Sequence, residues 1–155
     1  MHSIRAAQKS QRLPKCKSSS FGCIKLPMRR DSGLYQLLIL LPKTKTIRVG
    51  RLGDFSFPSG HYVYTGSAKR NLNARIERHL RSRNKTLHWH IDYFLEHGKI
   101  SKVKRFEERG ALSECGLNQK LLSRRDAQVI ARGLGSSDCR CPTHLVYFTN
   151  SFLRR

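Results

Sequence analysis

The chain has 155 residues, of which 38% are hydrophobic, and this is enough for one domain with one modest core. Its 31 Lys and Arg against 10 Asp and Glu give a net charge of +21, so its surface attracts polyanions. Nucleic acid is the commonest such partner, and an anionic membrane surface is the second. No apolar run approaches the roughly 20 residues of a membrane-spanning helix, which excludes an integral membrane protein and predicts a soluble chain.

The cysteines are odd in number and widely scattered, with no secretory signal ahead of them: Cys16, Cys23, Cys115, Cys139 and Cys141. This pattern favours free thiols in a reducing compartment over a disulfide framework. We therefore expect a cytoplasmic or nucleoid-associated protein.

The two ends of the chain are basic. Residues 1–30 contain many Lys and Arg but no Asp or Glu, so they bury little apolar surface. We predict that residues 1–31 are a disordered arm that adds nonspecific phosphate affinity; their composition also fits an organelle transit peptide. Residues 151–155 are predicted as a basic tail, which leaves residues 32–150 as the folded domain.

The predicted elements begin with a buried strand, because residues 34–41 form a nearly continuous apolar run without helix signals. Residues 46–49 alternate as a second strand and are expected to form a hairpin with the first. A loop over residues 50–59 and a third strand over residues 61–64 follow.

Helices dominate the second half of the predicted order. Asn71 is a suitable cap for a helix over residues 72–80. The remaining elements are a helix over 89–95, a strand over 102–106, helices over 112–122 and 125–132, and a strand over 144–148. The predicted fold class is a small α/β (α+β) domain in which helices flank a mostly antiparallel sheet.

Two segments pair a tyrosine with a glycine at the edge of a predicted strand. Gly33-Leu34-Tyr35 opens the first strand, and Tyr64-Thr65-Gly66 closes another and leads into the helix that carries Arg75 and His79. A phenol can activate water, a guanidinium can neutralise a phosphorane, and an isolated carboxylate such as Glu114 can hold a divalent metal. Together these groups are suited to phosphodiester hydrolysis.

These segments, with Leu72-Asn73-Ala74-Arg75 after the second tyrosine, resemble the GIY-YIG nuclease superfamily. The inserted segment 47–60 and the segments 88–93 and 135–139 resemble its Uri-type subfamily. The resemblance covers residues 32–148. It implies an endonuclease that hydrolyses DNA with one divalent cation, Mg²⁺ or Mn²⁺, on a scaffold of sheet and helices.

The resemblance assigns roles to the two tyrosines, Tyr35 and Tyr64: one orients the attacking water and the other binds the scissile phosphate. Because an ordinary phenol has a pKa near 10, either nearby positive charge lowers this pKa, with Lys69, Arg70 and Arg75 as the candidate sources, or a metal-bound hydroxide assists. The alternative is that both tyrosines are ordinary strand residues.

The other site residues follow from the same resemblance. Arg75 is expected to bind nonbridging phosphate oxygens. His79 either shares proton transfer, packs or binds phosphate. Glu114 is the expected metal ligand, although a carboxylate at a helix start also favours the helix dipole. Neither Asn118 nor Asn150 can be assigned to the superfamily's late asparagine.

Further contacts with nucleic acid are expected from basic side chains near the tyrosines: Lys69, Arg70, Arg78, His88 and His90. The two histidines flank Trp89, and their alternative role is a capped helix entry with Trp89 in the core.

Cys139-x-Cys141-x-x-His144, with Cys115 as a further candidate, has ligand chemistry suited to structural zinc. The spacing is not the common Cys-x-x-Cys pair, so a tight turn over residues 133–138 is the safer interpretation. Asp138 in this turn is either a supporting carboxylate or a turn former.

The leading hypothesis is therefore a metal-dependent DNA endonuclease. We expect Tyr35, Tyr64, Arg75 and Glu114 to converge on one face of the sheet around a cleft of phosphate size. A noncatalytic basic nucleic-acid-binding protein and an RNA-directed nuclease are the alternatives.

Overall fold

The structure is a computed structural model, and it describes residues 31–81, 86–106 and 112–149. The predicted arm up to residue 30, the tail at 151–155 and Asn150 lie outside the described residues. Within the described part of the chain, no helix has the length and apolar character needed to cross a membrane.

An antiparallel five-stranded sheet forms the centre of the fold, in the order β5-β1-β4-β7-β6. The strands are β1 (Gly33–Leu41), β2 (Lys45–Arg48), β3 (Asp54–Phe57), β4 (Gly60–Ala68), β5 (Lys99–Phe106), β6 (Ala127–Gln128) and β7 (Leu145–Phe148). The helices are α1 (Leu72–Leu80), α2 (His90–Leu95) and α3 (Glu114–Leu122). The predicted fold class is thereby confirmed.

Alternation along the strands divides the core between the two faces of the sheet. Tyr35 and Tyr64 belong to the larger cluster, which α1, α2 and the β2–β3 hairpin cover. Leu38, Val63 and Val146 point the other way and pack beneath α3. The cleft described below lies where these two layers end.

The predicted hairpin of β1 with β2 is wrong. Strand β1 pairs with β4 on one side and with β5 on the other, so it has no free edge for β2. Strand β2 instead pairs with β3, from Lys45 opposite Phe57 to Arg48 opposite Asp54. The predicted loop over 50–59 therefore contains a strand.

The predicted helix over residues 125–132 is also wrong. Strand β6 pairs with β7 there, and irregular chain follows over residues 129–144. Two backbone hydrogen bonds close this segment, from Gly133 N to Pro142 O (2.9 Å) and from His144 N to Leu134 O (2.8 Å). Because Leu134 is fully buried in the core, tertiary packing determines the conformation of the segment.

Helix α1 begins as predicted, but Asn71 does not cap it. Asn71 has a left-handed φ of 54° and makes no capping hydrogen bond with its side chain. Asp31 replaces it, because its carboxylate accepts from Asn73 N at 2.9 Å and its carbonyl accepts from Leu72 N at 3.0 Å. The cap therefore ties the start of α1 to the segment that precedes β1.

Strand β5 lies at one end of the sheet order. It pairs with β1 from Leu34 opposite Phe106 to Leu40 opposite Lys99. The side chains of Lys99, Lys102 and Lys104 are exposed. This end of the sheet is therefore strongly basic.

Candidate active-site cleft

A cleft of about 350 Å³ opens at the end of β4. Its lining includes Tyr35, Tyr64, Arg75 and Glu114, the four groups that the sequence predicts to converge. The expected convergence is therefore present in the structure.

The expectation of a single sheet face does not hold. Tyr35 and Tyr64 point toward the layer of α1 and α2. Ser67 alternates to the opposite face, where its hydroxyl donates a hydrogen bond to Glu114 Oε2. The cleft thus lies at the end of the sheet and is shared by both layers.

Two glycines make room for the tyrosine rings. A Cβ on Gly66 would lie 2.5 Å from Tyr35 Cζ, and one on Gly135 would lie 2.9 Å from Tyr64 Cε2. Gly135 also has a φ of 74°, which L side chains rarely adopt. Both positions therefore require glycine for the observed positions of the rings.

Tyr35 and His79 form a buried pair at the base of the cleft. The Tyr35 hydroxyl lies 2.8 Å from His79 Nε2, within hydrogen-bond distance. On the other side of the imidazole, Nδ1 lies 4.0 Å from Asp92 Oδ1. His79 therefore lies between the phenol and a buried carboxylate.

Burial raises the pKa of both tyrosines above the ordinary phenol value, and the nearby Arg75 lowers it by less than burial raises it. Of the two routes that the sequence leaves open, a net lowering of the phenol pKa by neighbouring cations is therefore contradicted. Lys69 and Arg70 follow β4 as exposed side chains. At neutral pH both phenols keep their protons.

Arg75 and Arg78 both contact the indole of Trp89. Their guanidinium carbons lie 4.8 Å and 4.3 Å from the ring centroid, which is cation–π distance. Arg75 also donates from Nη1 to Ser67 O at 3.0 Å. Arg78 forms a bidentate pair with Asp92, with both contacts at 3.0 Å. Arg78 thus supports the fold at the position where the sequence predicts a nucleic-acid contact.

Asp92 organises the start of α2. Its Oδ2 accepts from the backbone N–H groups of His88 and Trp89, each at 2.9 Å. Trp89 packs against the main core, as the alternative interpretation of this segment expects. His88 and His90 nevertheless line the cleft, and Gly135 N donates to His90 Nδ1 at 3.4 Å.

Glu114 is the first residue of α3, which Ser113 caps by accepting from Gly116 N at 3.0 Å. His144 Nδ1 lies 2.8 Å from Glu114 Oε1, while Ser67 occupies Oε2. Burial acts to raise the pKa of Glu114, but the hydrogen bonds from His144 and Ser67 lower it below the ordinary value. The carboxylate is therefore charged at neutral pH and keeps lone pairs for a cation.

Behind Glu114 lies a cluster of three thiols and one imidazole: Cys115, Cys139, Cys141 and His144. Their ligand atoms all lie within 4.8 Å of one another, so the cluster can hold a metal ion. The predicted turn is also present, with bonds from Ser136 N to Gly133 O and from Cys139 N to Ser136 O. A metal-binding cluster and a tight turn, the two interpretations that the sequence offers for this segment, are thus compatible.

The sequence did not reveal two connections of this site. Ser67 carries no motif signal, and the contact between Glu114 and His144 joins residues 30 positions apart, at 2.8 Å. Asn118 has a structural role, since its buried amide donates to Thr143 O at 2.7 Å. Asp138 lines the cleft and is exposed.

A comparison with known families places the chain. Residues 34–154 match the family described as "Domain of unknown function DUF123", which is GIY-YIG-like, and the chain belongs to this family. No curated protein and no solved structure matches the chain.

Proposed function

We propose that the protein is a Mg²⁺- or Mn²⁺-dependent endonuclease of the Uri type that hydrolyses phosphodiester bonds in DNA. The observation that carries the proposal is one cleft lined by Glu114, Arg75 and Tyr35. The net charge of +21 attracts a polyanion to this cleft.

Glu114 suits a hard divalent cation. Magnesium is typically held by one or two carboxylates, with water and substrate phosphate completing its coordination. The lowered pKa of Glu114 keeps this carboxylate ionised at neutral pH. A cation bound there supplies positive charge to the developing charge on the phosphate oxygens.

Arg75 faces the same cleft and binds the nonbridging oxygens of the scissile phosphate. Its contacts with Trp89 and with Ser67 O hold the guanidinium in place before substrate arrives. His88 and His90 lie on the same lining and contact neighbouring phosphates or bases.

Tyr35 and His79 move the proton of the attacking water. Because the pKa of Tyr35 is raised, a free phenolate is a poor intermediate at neutral pH. The phenol oxygen takes a proton from water as its own proton passes to His79 Nε2, which lies 2.8 Å away. The water oxygen then bonds to phosphorus while the ester bond from phosphorus to the leaving sugar oxygen breaks, and that oxygen takes a proton from solvent. Tyr35 remains neutral throughout. Tyr64 orients the phosphate beside it.

The activity test uses labelled single-stranded, duplex and branched DNA, and RNA of the same sequences, with Mg²⁺, Mn²⁺ or chelator. We expect metal-dependent cleavage of DNA. Cleavage of RNA alone would favour the RNA-directed nuclease, and tight binding without cleavage of any substrate would favour the noncatalytic binder.

A paired substitution tests the role of the carboxylate. Glu114→Gln should reduce single-turnover cleavage by about 10³-fold, because a metal ion can stabilise the transition state by several kcal/mol. Binding of DNA should persist. Glu96→Gln, an exposed acid at the end of α2, is the matched control and should cleave as the wild type does. Equal cleavage by both variants would show that Glu114 is not the metal ligand.

A further inference from the structure

The cysteine cluster has the composition and geometry of a closed tetrahedral metal centre. With Zn–S near 2.3 Å and Zn–N near 2.0 Å, the ligand atoms of a tetrahedral centre with three sulfurs and one nitrogen lie roughly 3.5–3.8 Å apart. The distance from Cys139 Sγ to His144 Nε2 is 3.4 Å. The whole set lies within 4.8 Å, so small side-chain rotations bring the other thiols into range.

The ligands come from two parts of the chain. Cys115 lies in the first turn of α3, while Cys139, Cys141 and His144 lie in the irregular segment 129–144, which His144 ends directly before β7. Residues 129–144, all of them described, form neither helix nor strand. An ion here would fasten this long segment to both α3 and the sheet.

The donor set selects the kind of ion. Three thiolates and one imidazole are soft ligands in a four-coordinate arrangement, which is typical of structural zinc and unsuited to Mg²⁺. The two metal sites are therefore chemically distinct: oxygen donors at Glu114 and sulfur donors behind it.

His144 joins the two sites. Its Nε2 faces the thiols, and its Nδ1 lies 2.8 Å from Glu114 Oε1. Metal-binding histidines usually donate their other N–H to a carboxylate or carbonyl, which fixes the orientation of both partners. We propose that Cys115, Cys139, Cys141 and His144 bind one zinc ion, and that His144 thereby positions Glu114 in the cleft.

Zinc content of the full-length chain tests the centre without any assay of cleavage. We expect one zinc per chain by elemental analysis, and replacement by Co²⁺ should produce visible bands of a tetrahedral thiolate site. Cys139→Ser and Cys141→Ser should lose both signals. Cys23→Ser, a cysteine outside the described residues, is the matched control and should keep them. No zinc in the intact chain, or full zinc in the Cys141 variant, would overturn the proposal.

Affinity for zinc tests the contact between His144 and Glu114. Loss of a carboxylate that supports a ligand typically costs 10–100-fold in metal affinity. Glu114→Ala should therefore retain the cobalt spectrum but release zinc to a competing chelator about 10-fold more readily than Glu96→Ala. Equal release by the two variants would remove Glu114 from the zinc centre.

Positioning of Glu114 is measured by Mn²⁺ binding, and this part rests on the proposed function. Electron paramagnetic resonance should show about 10-fold weaker Mn²⁺ binding after zinc is removed from the folded chain. This is the low end of the 10–100-fold loss that is typical when a group supporting a metal ligand is lost. Equal Mn²⁺ affinity with and without zinc would overturn the positioning role. If the zinc-loaded chain binds no Mn²⁺ at all, the proposed function fails, while one zinc per chain still supports the centre.

Discussion

The cleft has two walls that are built by different physical means. The α1 wall, consisting of Tyr35, Arg75 and Trp89 with the buried His79 behind them, is packed against the main core and its aromatic rings. The α3 wall, consisting of Ser67 and Glu114 with the buried His144 behind them, is a chain of polar contacts that ends in the cysteine cluster.

The two walls depend on different interactions for their geometry. Burial of apolar surface assembles the α1 wall together with the core, so its geometry follows from folding alone. The α3 wall requires β4, α3 and the segment 129–144 to meet through directional contacts. We therefore expect the α1 wall to tolerate metal removal and the α3 wall to lose its geometry.

Arg75, on the α1 wall, should affect cleavage nearly as strongly as Glu114 does. Arg75→Ala removes the guanidinium proposed to bind the phosphate and should reduce single-turnover cleavage by about 10²–10³-fold, the usual cost of one electrostatic donor. Binding should weaken as well, because the contact exists in the ground state. Arg51→Ala, an exposed arginine in the short turn after β2, is the control. Similar losses in the two variants would indicate a general charge effect.

Asp92 tests whether the support of the α1 wall is independent of metal. Asp92→Ala breaks its buried pair with Arg78 and should lower the free energy of unfolding by about 3 kcal/mol. The cost should be the same in the presence and absence of a zinc chelator in urea denaturation. Asp54→Ala breaks only an exposed pair at 3.8 Å with Arg48 and should cost less than about 1 kcal/mol. A smaller loss for Asp92 than for Asp54 would contradict this account.

Ionisation of the Tyr35 phenol should make the stability of the folded chain fall as the pH rises into the alkaline range. Its pKa is raised by burial, so the unfolded chain releases this proton at a lower pH than the folded chain. The corresponding stability is complete below about pH 10 and declines above it, by up to about 1.4 kcal/mol per pH unit. Tyr35→Phe should therefore lose stability less steeply than the wild type in urea denaturation between about pH 9 and 11. Identical slopes would mean that Tyr35 ionises equally in both states.

A small effect on Mn²⁺ affinity is expected from the contact between Ser67 and Glu114 on the α3 wall. Ser67→Ala removes the hydroxyl that holds Glu114 Oε2 and should weaken Mn²⁺ binding by about threefold to tenfold, which corresponds to one hydrogen bond. Ser101→Ala on β5, which removes a hydroxyl that donates to Leu38 O of β1, is the matched control and should leave Mn²⁺ affinity unchanged. Unchanged binding in the Ser67 variant would leave His144 as the main support of the carboxylate.

The α1 wall was largely predictable from the sequence because its signals are local. The apolar run of β1 placed Tyr35 at a strand edge, and the helical spacing after Asn71 placed Arg75 and His79 on one face. The raised pKa of Tyr35 was not predictable, because burial depends on how β1 is covered by the rest of the chain. Here desolvation outweighs the nearby cation.

The α3 wall was only partly predictable. The sequence identifies Glu114 and the cysteines as candidate ligands. It also predicts a helix over 125–132, and this wrong assignment hides the strand and irregular segment that bring His144 to Glu114. Apolar residues there mimic a helical period, whereas the chain instead follows core packing and its pairing with β7. Long-range pairing of β1 with β4 and β5 also left β2 to pair with the nearby β3, whereas the sequence assigned β2 to β1.

The basic end strand of the sheet has a consequence for solubility during folding. An edge strand presents unpaired N–H and C=O groups to which a second chain can add, and exposed lysines on such strands discourage this association. Lys99, Lys102 and Lys104 occupy β5 in this way. Two copies that approach through β5 bring like charges together, so the edge resists aggregation while remaining open to a polyanion.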